Sequence, residues 1–185
     1  PISRTDAGLT VLAVASPLMF LWLVGRWHVF TVWMRPIIVL GVLGVTVMSW
    51  RRGRRLPSHS SRGVRTWVGR AVKVAVVLFI GTRTADALGG RVADGAAVDL
   101  HFPLRDGRFH VGQGGSTPAV NYHTIKRTQR YALDIVKLTR WGNRASRLRP
   151  DHLIEYASYG VPVYAPCNGW VTEAEASLPD NAIVG

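Results

Sequence analysis

The chain has 185 residues, 48% of them hydrophobic, and a formal net charge of +12. Most of this charge lies in the first half, because residues 1–88 contain 12 lysines and arginines against 2 acids, whereas residues 89–185 contain 11 against 9. Arginines that flank uncharged apolar runs indicate a protein whose partner is membrane lipid, and no nucleic-acid partner is predicted. The only cysteine, Cys167, excludes an internal disulfide.

The first element is an uncharged run of 19 residues from Ala7 to Gly25. At about 1.5 Å per residue, a helix of this length crosses a hydrocarbon core of about 30 Å. Transmembrane helices tolerate a proline such as Pro17. A secretory signal peptide is the alternative, but "GRWHVF" follows the run instead of a small-x-small cleavage site. We therefore predict a retained membrane helix.

Two further apolar segments follow. The second begins at Arg35 and has only 15 uncharged residues, "PIIVLGVLGVTVMSW", so flanking residues or a snorkelling arginine must complete a span. The third, "WVGRAVKVAVVLFIG" over residues 67–81, contains Arg70 and Lys73. An amphipathic helix lying in the membrane interface is the alternative for this third segment.

A basic loop over residues 51–66 separates these two segments, with 6 arginines and no acid. A short loop of this composition is expected to stay cytoplasmic, which places the N-terminus inside and the chain after the third segment outside. DNA binding is the alternative for this loop, but no aromatic residues alternate with its arginines. We predict a membrane region over 1–88 with two or three transmembrane helices, a linker over 89–97 and an extracytoplasmic domain over 98–185.

The outer half contains short β-type runs separated by Gly, Pro and Asn-Gly signals, which predict a mainly-β domain. These runs are "VDLHFPL", "RFHVGQGG", "YALDIVKL", "GVPVYAP" and "GWVTEAEA". One helix is predicted over 149–160, with Asp151 as its N-cap and Gly160 as its end. Apolar neighbours of Asp134 predict a buried carboxylate, which a cation or hydrogen bonds must neutralise.

His123 precedes Asp134 by 11 residues and is the candidate partner of that carboxylate. Imidazole and carboxylate are both suitable zinc ligands, and an open coordination position would hold a reacting water. Two such residues do not by themselves establish a metal site, since a histidine in a turn is usually solvated. His101 and His110 are expected to face solvent from their β-type runs.

Several ordered motifs of this half resemble the first half of the lysostaphin/LytM-type zinc metallopeptidase domain, metallopeptidase family twenty-three. They are "HFPL", "F-VGQGG", "NYH", "QRYALDIV", "YGVPVYAPCNGWV" and "PDN", from about Val98 to the C-terminus. The resemblance implies an incomplete LytM-like antiparallel β-sheet domain, zinc as cofactor, and a peptidoglycan peptide or another peptide as substrate. It places the protein in a bacterial cell membrane.

The resemblance also assigns residues. The first zinc motif of the family supplies a histidine and an aspartate, which fall on His123 and Asp134, although many members have these two residues closer together. Pro166 and Gly169 fall where the family shapes a strand–turn–strand beside its groove. The second motif of the family, His-x-His, is absent from the sequence. We expect a chain truncated at its C-terminus, with no catalytic histidine visible and no activity as it stands.

Two other functions remain open on the same residues. A domain that has lost the second ligand set would be a non-catalytic cell-wall binding or regulatory module. The segment "VYAPCNGWV" is also similar to the strand–turn–strand of biotinyl and lipoyl carriers or of transport adaptors. A carrier needs a lysine at the hairpin tip, where this chain has Cys167 and Asn168. A cysteine nucleophile is not predicted, because no partnered base accompanies Cys167.

Overall fold

The computed structural model describes residues 3–57, 63–92, 95 and 97–179. Its four helices are α1 (Arg4–Val24), α2 (Trp27–Phe30), α3 (Met34–Gly53) and α4 (Val64–Gly89), and its strands are β1 (Arg108–Gln113) and β2 (Asp134–Leu138). Short 3-10 turns span Tyr122–Ile125, Arg127–Gln129 and Leu153–Glu155. Three predicted features lie partly outside the described residues: the basic loop at 58–62, the linker at 93, 94 and 96, and the end of the outer domain at 180–185.

The helices α1 and α3 are long and apolar enough to cross a membrane. Their lengths are 21 and 20 residues, and their mean hydropathies are 2.1 and 1.3. They are therefore candidate membrane spans, as the first two apolar runs predict. The third apolar run lies within α4, a continuous helix of 26 residues that has Arg70, Lys73 and Arg83 along it. That α4 forms a third membrane span stays a prediction.

Contacts between helix ends define the arrangement. α1 packs against both α3 and α4. The start of α1 lies beside the end of α3, since the backbone N–H of Arg4 donates to the Pro57 carbonyl at 3.1 Å. The end of α1 lies beside the end of α4, because Arg91 donates from Nη2 to the Leu23 carbonyl at 3.0 Å. α3 is thus antiparallel to α1, whereas α4 is parallel to it.

An ion pair joins the starts of α1 and α4. Arg70 donates from Nε to Asp6 Oδ1 at 2.7 Å, and the Ser3 hydroxyl donates to the other oxygen of the same carboxylate at 2.8 Å. Ser3 also caps α1, because its hydroxyl accepts a bond from the Asp6 backbone N–H. The side chain of Asp6 is only 7% exposed. Arg70, a charge that interrupts the third apolar run, is therefore neutralised by its neighbour helix.

In the outer half, β1 and β2 form an antiparallel two-stranded sheet in which Arg108 pairs with Leu138 and Gln113 pairs with Asp134. The register shifts between Val111 and Gln113. Two of the five predicted β-type runs become these strands. The prediction of a mainly-β domain is not confirmed, because β1 and β2 are the only strands within the described part of the chain.

The runs at 98–104 and 160–166 form no strand, but they lie side by side. The His101 N–H donates to the Pro166 carbonyl, and the Tyr164 N–H donates to the Pro103 carbonyl, both at 2.8 Å. This is the spacing of an antiparallel pair, yet two bonds are too few for a ladder. The run at 169–176 has no strand partner in the described residues, and Trp170 within it is 97% exposed.

The prediction of a helix over 149–160 is wrong. The structure has a single 3-10 turn at Leu153–Glu155, with His152 and not Asp151 as its N-cap. Ile154 is 76% exposed, so its apolar side chain does not pack against another element. Since most helical stability comes from packing an apolar face, the capping signals alone do not produce a helix here.

We expect Asp6→Asn to lower the thermal unfolding midpoint of the helical region by several degrees. The amide cannot neutralise Arg70, and removal of one partner from a poorly solvated ion pair leaves an uncompensated charge. Circular dichroism of the purified chain in detergent measures the midpoint. Asp86→Asn is the matched control, because Asp86 is the other acid of residues 1–88. Equal midpoints for both variants and the unsubstituted chain would contradict this role of the pair.

Candidate metal centre

The structure brings the two predicted zinc ligands into direct contact. His123 Nε2 lies 2.9 Å from Asp134 Oδ1, although 11 residues separate them in the chain. Asp134 is the first residue of β2, and His123 lies in the 3-10 turn that begins at Tyr122. The loop between them therefore closes on itself and returns the histidine to the start of the strand.

Asn121 holds this loop closed. Its side chain is fully buried, and its Nδ2 donates to the carbonyls of Gly115 and Ala132 at 3.0 and 3.2 Å. Its Oδ1 accepts the backbone N–H of His123 at 3.2 Å. Asn121 was not among the predicted site residues. An asparagine side chain commonly accepts the backbone N–H two residues later in a turn, and this pattern was visible in the sequence. Asn121 is a positioning residue for His123.

The sequence predicts a buried carboxylate at Asp134, but the structure shows a partly exposed one. Its side chain is 44% exposed, whereas that of His123 is 12% exposed. The reason is the position of Asp134 at the first residue of β2, opposite the irregularity of β1, in a sheet that no further strand extends. A carboxylate in this place can be satisfied by water and by His123. Burial therefore does not force a cation onto Asp134.

The aromatic ring of Tyr122 covers the histidine. The ring centroids of Tyr122 and His123 are 4.0 Å apart, with an interplanar angle of 33°. On the other side of the imidazole, Nδ1 is buried and has no hydrogen-bond partner within the described residues. One nitrogen of His123 thus faces Asp134, and the other is enclosed by protein.

The pair fits two positions of a zinc site. Two ligand atoms bound to a tetrahedral zinc ion at about 2.0–2.1 Å lie about 3.3 Å apart. The 2.9 Å between His123 Nε2 and Asp134 Oδ1 is close to this distance, and a small opening would admit an ion. Among the described residues, no group of three or more His, Cys, Asp or Glu side chains could hold a metal ion. The pair therefore supplies two ligands and not a complete set.

A cavity of about 550 Å³ lies beside Asp134, and its wall comes from both halves of the chain. Arg26 and His28, from the connector between α1 and α3, line it together with Gln113, Tyr122 and Arg144 of the outer half. Pro166 and Gly169 are not among its lining residues, so their groove-shaping role stays a prediction. Arg26 and His28 were not among the site residues that the sequence predicted.

Backbone hydrogen bonds attach the outer half to this connector. The Arg144 N–H donates to the His28 carbonyl at 2.6 Å, and the Val32 N–H donates to the Gly142 carbonyl at 2.9 Å. The Thr31 hydroxyl donates to the Trp141 carbonyl at 2.7 Å. The position of the cavity wall is thereby coupled to the end of α1.

His28 is a buried histidine at this junction, and its ring centroid lies 5.2 Å from that of His110. Burial lowers the pKa of His28 to about 4, and the charges of His110, Arg144 and Arg26 act in the same direction, whereas Asp134 opposes them. Burial also lowers the pKa of His110, with a further contribution from Arg35. His110 is thus half-buried against another imidazole, which corrects the expectation that it faces solvent.

Gly112 permits this close packing. A Cβ atom at position 112 would lie 3.0 Å from Cε1 of His28, which is closer than nearly all real contacts of that kind. The buried Nδ1 of His28 has no hydrogen-bond partner in the part of the chain that the structure describes. The imidazole is therefore held by packing and by the shape of the β1 backbone.

Comparison of the chain with protein-family models, with curated proteins and with solved structures gave no match. The resemblance to the LytM-type domain accordingly depends on the sequence motifs. The structure adds one observation to those motifs, which is that the side chains of His123 and Asp134 are in contact.

We expect Asn121→Ala to lower the free energy of unfolding by about 1–3 kcal/mol, because it removes a fully buried amide and leaves the part-buried carbonyls of Gly115 and Ala132 without that donor. Urea unfolding of the purified chain in detergent, followed by tryptophan fluorescence, gives this value. Asn168→Ala is the control, since Asn168 is exposed. A change no larger than that of the control would show that Asn121 does not hold the loop.

We expect the free energy of unfolding to fall as the pH is lowered from about 6.5 to about 4, and His28 to cause much of this fall. With an unfolded pKa of about 6.5 and a folded pKa of about 4, the unfolded chain binds more protons in this range, a difference on the order of 2–3 kcal/mol. Urea unfolding at several pH values measures the slope. His28→Asn should flatten it, whereas His101→Asn, at an exposed histidine, should not. An unchanged slope in His28→Asn would refute this assignment.

Proposed function

We propose that the protein is a membrane-anchored zinc metallopeptidase of the peptidoglycan endopeptidase type, which hydrolyses peptide bonds with a zinc-activated water. The observation that carries the proposal is the 2.9 Å contact between His123 and Asp134, two residues that the LytM-like motifs select and that lie 11 residues apart. In this proposal, α1 and α3 hold the protein in a bacterial membrane, with the basic loop inside and the outer half facing the cell wall.

The residues at the site have distinct proposed roles. His123 and Asp134 bind zinc, with Nε2 and Oδ1 as the donor atoms. Zinc bound there would polarise a peptide carbonyl and lower the pKa of a coordinated water. Asn121 fixes the main chain of His123, and Tyr122 shields its ring from water. Both effects keep the imidazole in one orientation before any ion binds.

The cavity beside the pair favours a substrate with negative charge. Arg26 and Arg144 are among the residues that line this cavity, and Asp134 is the one acid among those lining residues. Because His28 has a pKa of about 4, it is neutral at pH 7 and does not change the net charge of the cavity wall. Fixed positive groups near a reacting carbonyl also stabilise negative charge that develops on its oxygen.

A non-catalytic cell-wall binding or regulatory module is the second candidate. The exposure of the Asp134 side chain, 44%, favours it, because His123 and water satisfy this carboxylate without an ion. In that case the same pair is a structural hydrogen bond that closes the loop. The lipoyl or adaptor alternative has no such support, since no hairpin forms at 160–171 in the structure.

Zinc content decides between these functions. The natural full-length protein, purified in detergent, should bind one zinc ion per chain by elemental mass spectrometry. His123→Gln and Asp134→Asn should each weaken zinc binding by more than the roughly 10- to 100-fold that loss of an outer partner costs. His101→Gln and Asp99→Asn are matched controls, because both residues are exposed and lie outside the pair.

Hydrolysis of purified cross-linked peptidoglycan is the second measurement on the same proteins. Release of new amino groups by the natural protein, but not by either ligand variant, supports the peptidase. Zinc binding without hydrolysis supports the non-catalytic module. Stoichiometric zinc in both ligand variants would remove the pair from the metal site and with it the basis of the proposal.

A further inference from the structure

A groove runs between α1 and α3 along the face that they share. Two cavities, of about 340 and 560 Å³, lie along this interface, and both are lined by Val11 and Thr46. The larger is lined by the first turns of α1, from Arg4 to Leu12, and by the last turns of α3, from Thr46 to Arg54. We call this larger cavity the basic-end groove.

The walls of the basic-end groove are apolar and open. Ala7, Val11 and Leu12 form one side, and Gly8 and Gly53 leave space, because a Cβ atom at either glycine would meet nothing within 4 Å. The share of residues buried in the apolar part of α3 is 0%. An apolar surface of this kind in a candidate membrane span has to be covered by lipid chains or by another helix.

Two guanidinium groups are held at the mouth of the groove. Arg4 donates from Nε and Nη2 to the carbonyls of Leu56 and Arg54, both at 3.0 Å. The guanidinium of Arg54 stacks over the ring of Trp50, 3.8 Å from its centroid. Carbonyls and an aromatic ring orient these groups without neutralising their charge. Guanidinium is also the side chain best suited to bind phosphate through two parallel hydrogen bonds.

The surrounding charge is positive and uncompensated. Arg51, Arg52 and Arg55 lie at the same end of α3, and no ion pair involves these arginines, Arg4 or Arg54 within the described part of the chain. Asp6, the acid in the first turn of α1, is already paired with Arg70. Basic pockets between membrane helices bind the headgroups of anionic lipids.

The dimensions fit one lipid chain. Thr46 and Arg54, which mark the two ends of the groove on α3, are 8 residues apart. This interval corresponds to about 12 Å of helix. Half of a hydrocarbon core of about 30 Å is about 15 Å, so the groove is about as long as one leaflet is thick.

We propose that the basic-end groove binds one acyl chain of an anionic phospholipid, whose phosphate is held by Arg4 and Arg54. The lipid would fill the gap between α1 and α3 at the end of the hairpin that is opposite the His123–Asp134 pair. This proposal needs α1 and α3 to lie in a membrane, and it does not depend on zinc binding or on peptidase activity.

Native mass spectrometry of the full chain in detergent, with added dioleoyl phosphatidylglycerol or dioleoyl phosphatidylcholine, tests the proposal. We expect one phosphatidylglycerol to be retained per chain in preference to phosphatidylcholine. Arg4→Gln combined with Arg54→Gln should weaken this binding about 30-fold, which corresponds to about 1 kcal/mol for each arginine near the lipid surface. Arg51→Gln combined with Arg52→Gln removes the same charge outside the groove lining and should have a much smaller effect.

A second pair of variants tests the acyl-chain part of the site. Gly8→Leu fills the groove without changing any charge and should displace the lipid, whereas Gly44→Leu is harmless, because Gly44 has equally open surroundings on α3 but does not line the groove. Three results would overturn the proposal. These are equal retention of both lipids, equal loss in the two double-arginine variants, and a dimer that Gly8→Leu abolishes, which would identify a second copy as the occupant.

Discussion

The contact between the outer half and the connector at residues 25–33 holds the outer half, and the cavity beside Asp134, against the end of α1. Apart from Ala7 and Pro150, the buried apolar side chains in the described residues lie at this junction or at the helix ends beside it: Leu23, Trp27, Ala87 and Ala145. A two-stranded sheet has too little apolar surface to be stable alone in water. The outer half therefore depends on the helices for its order. The hydrogen bonds of Arg144 to His28 and of Val32 to Gly142 supply the alignment.

Gly25 makes this junction possible. A Cβ atom at position 25 would lie 2.6 Å from the Leu21 carbonyl oxygen and 2.8 Å from the ring of Trp27. The chain can therefore turn sharply at the end of α1 and pack Trp27 back against it, with the indole N–H donating to the Trp22 carbonyl at 3.2 Å. That turn carries His28 under β1, where it meets His110 and Gly112. One missing side chain thus places an imidazole at the cavity wall.

Local sequence patterns predicted the elements whose formation depends mainly on local composition. The uncharged run that ends at Gly25 is α1, and the alternating residues around His110 and Ile135 form β1 and β2. The meeting of His123 with Asp134 was also foreseeable, both from the chemistry of the two side chains and from the resemblance of the surrounding motifs to the LytM-type domain. The exposure of the Asp134 side chain was not foreseeable, because it depends on which strands flank the sheet, and no local sequence pattern indicates that.

The rest of the site depends on contacts between distant parts of the chain. Arg144 and His28 are 116 residues apart, and nothing in either neighbourhood indicates that they meet. The segment at 149–160 has a local signal without a distant contact to support it. Its capping residues are present, but no apolar face is covered, so only one turn of 3-10 helix forms. Asn121 is intermediate between these cases. A turn-forming asparagine is visible in the sequence, but its bonds to the carbonyls of Gly115 and Ala132 become apparent only when the loop closes.

The short distance between α1 and the cavity has a mechanical consequence. α1 ends at Val24, and Arg26 already lines the cavity beside Asp134. With α1 in a bilayer, a two-residue linker is too short to let this cavity move far from the lipid surface in any direction. The length of the connector then fixes the distance between the cavity and the membrane surface. Any ligand of the cavity has to come within about the thickness of the headgroup layer.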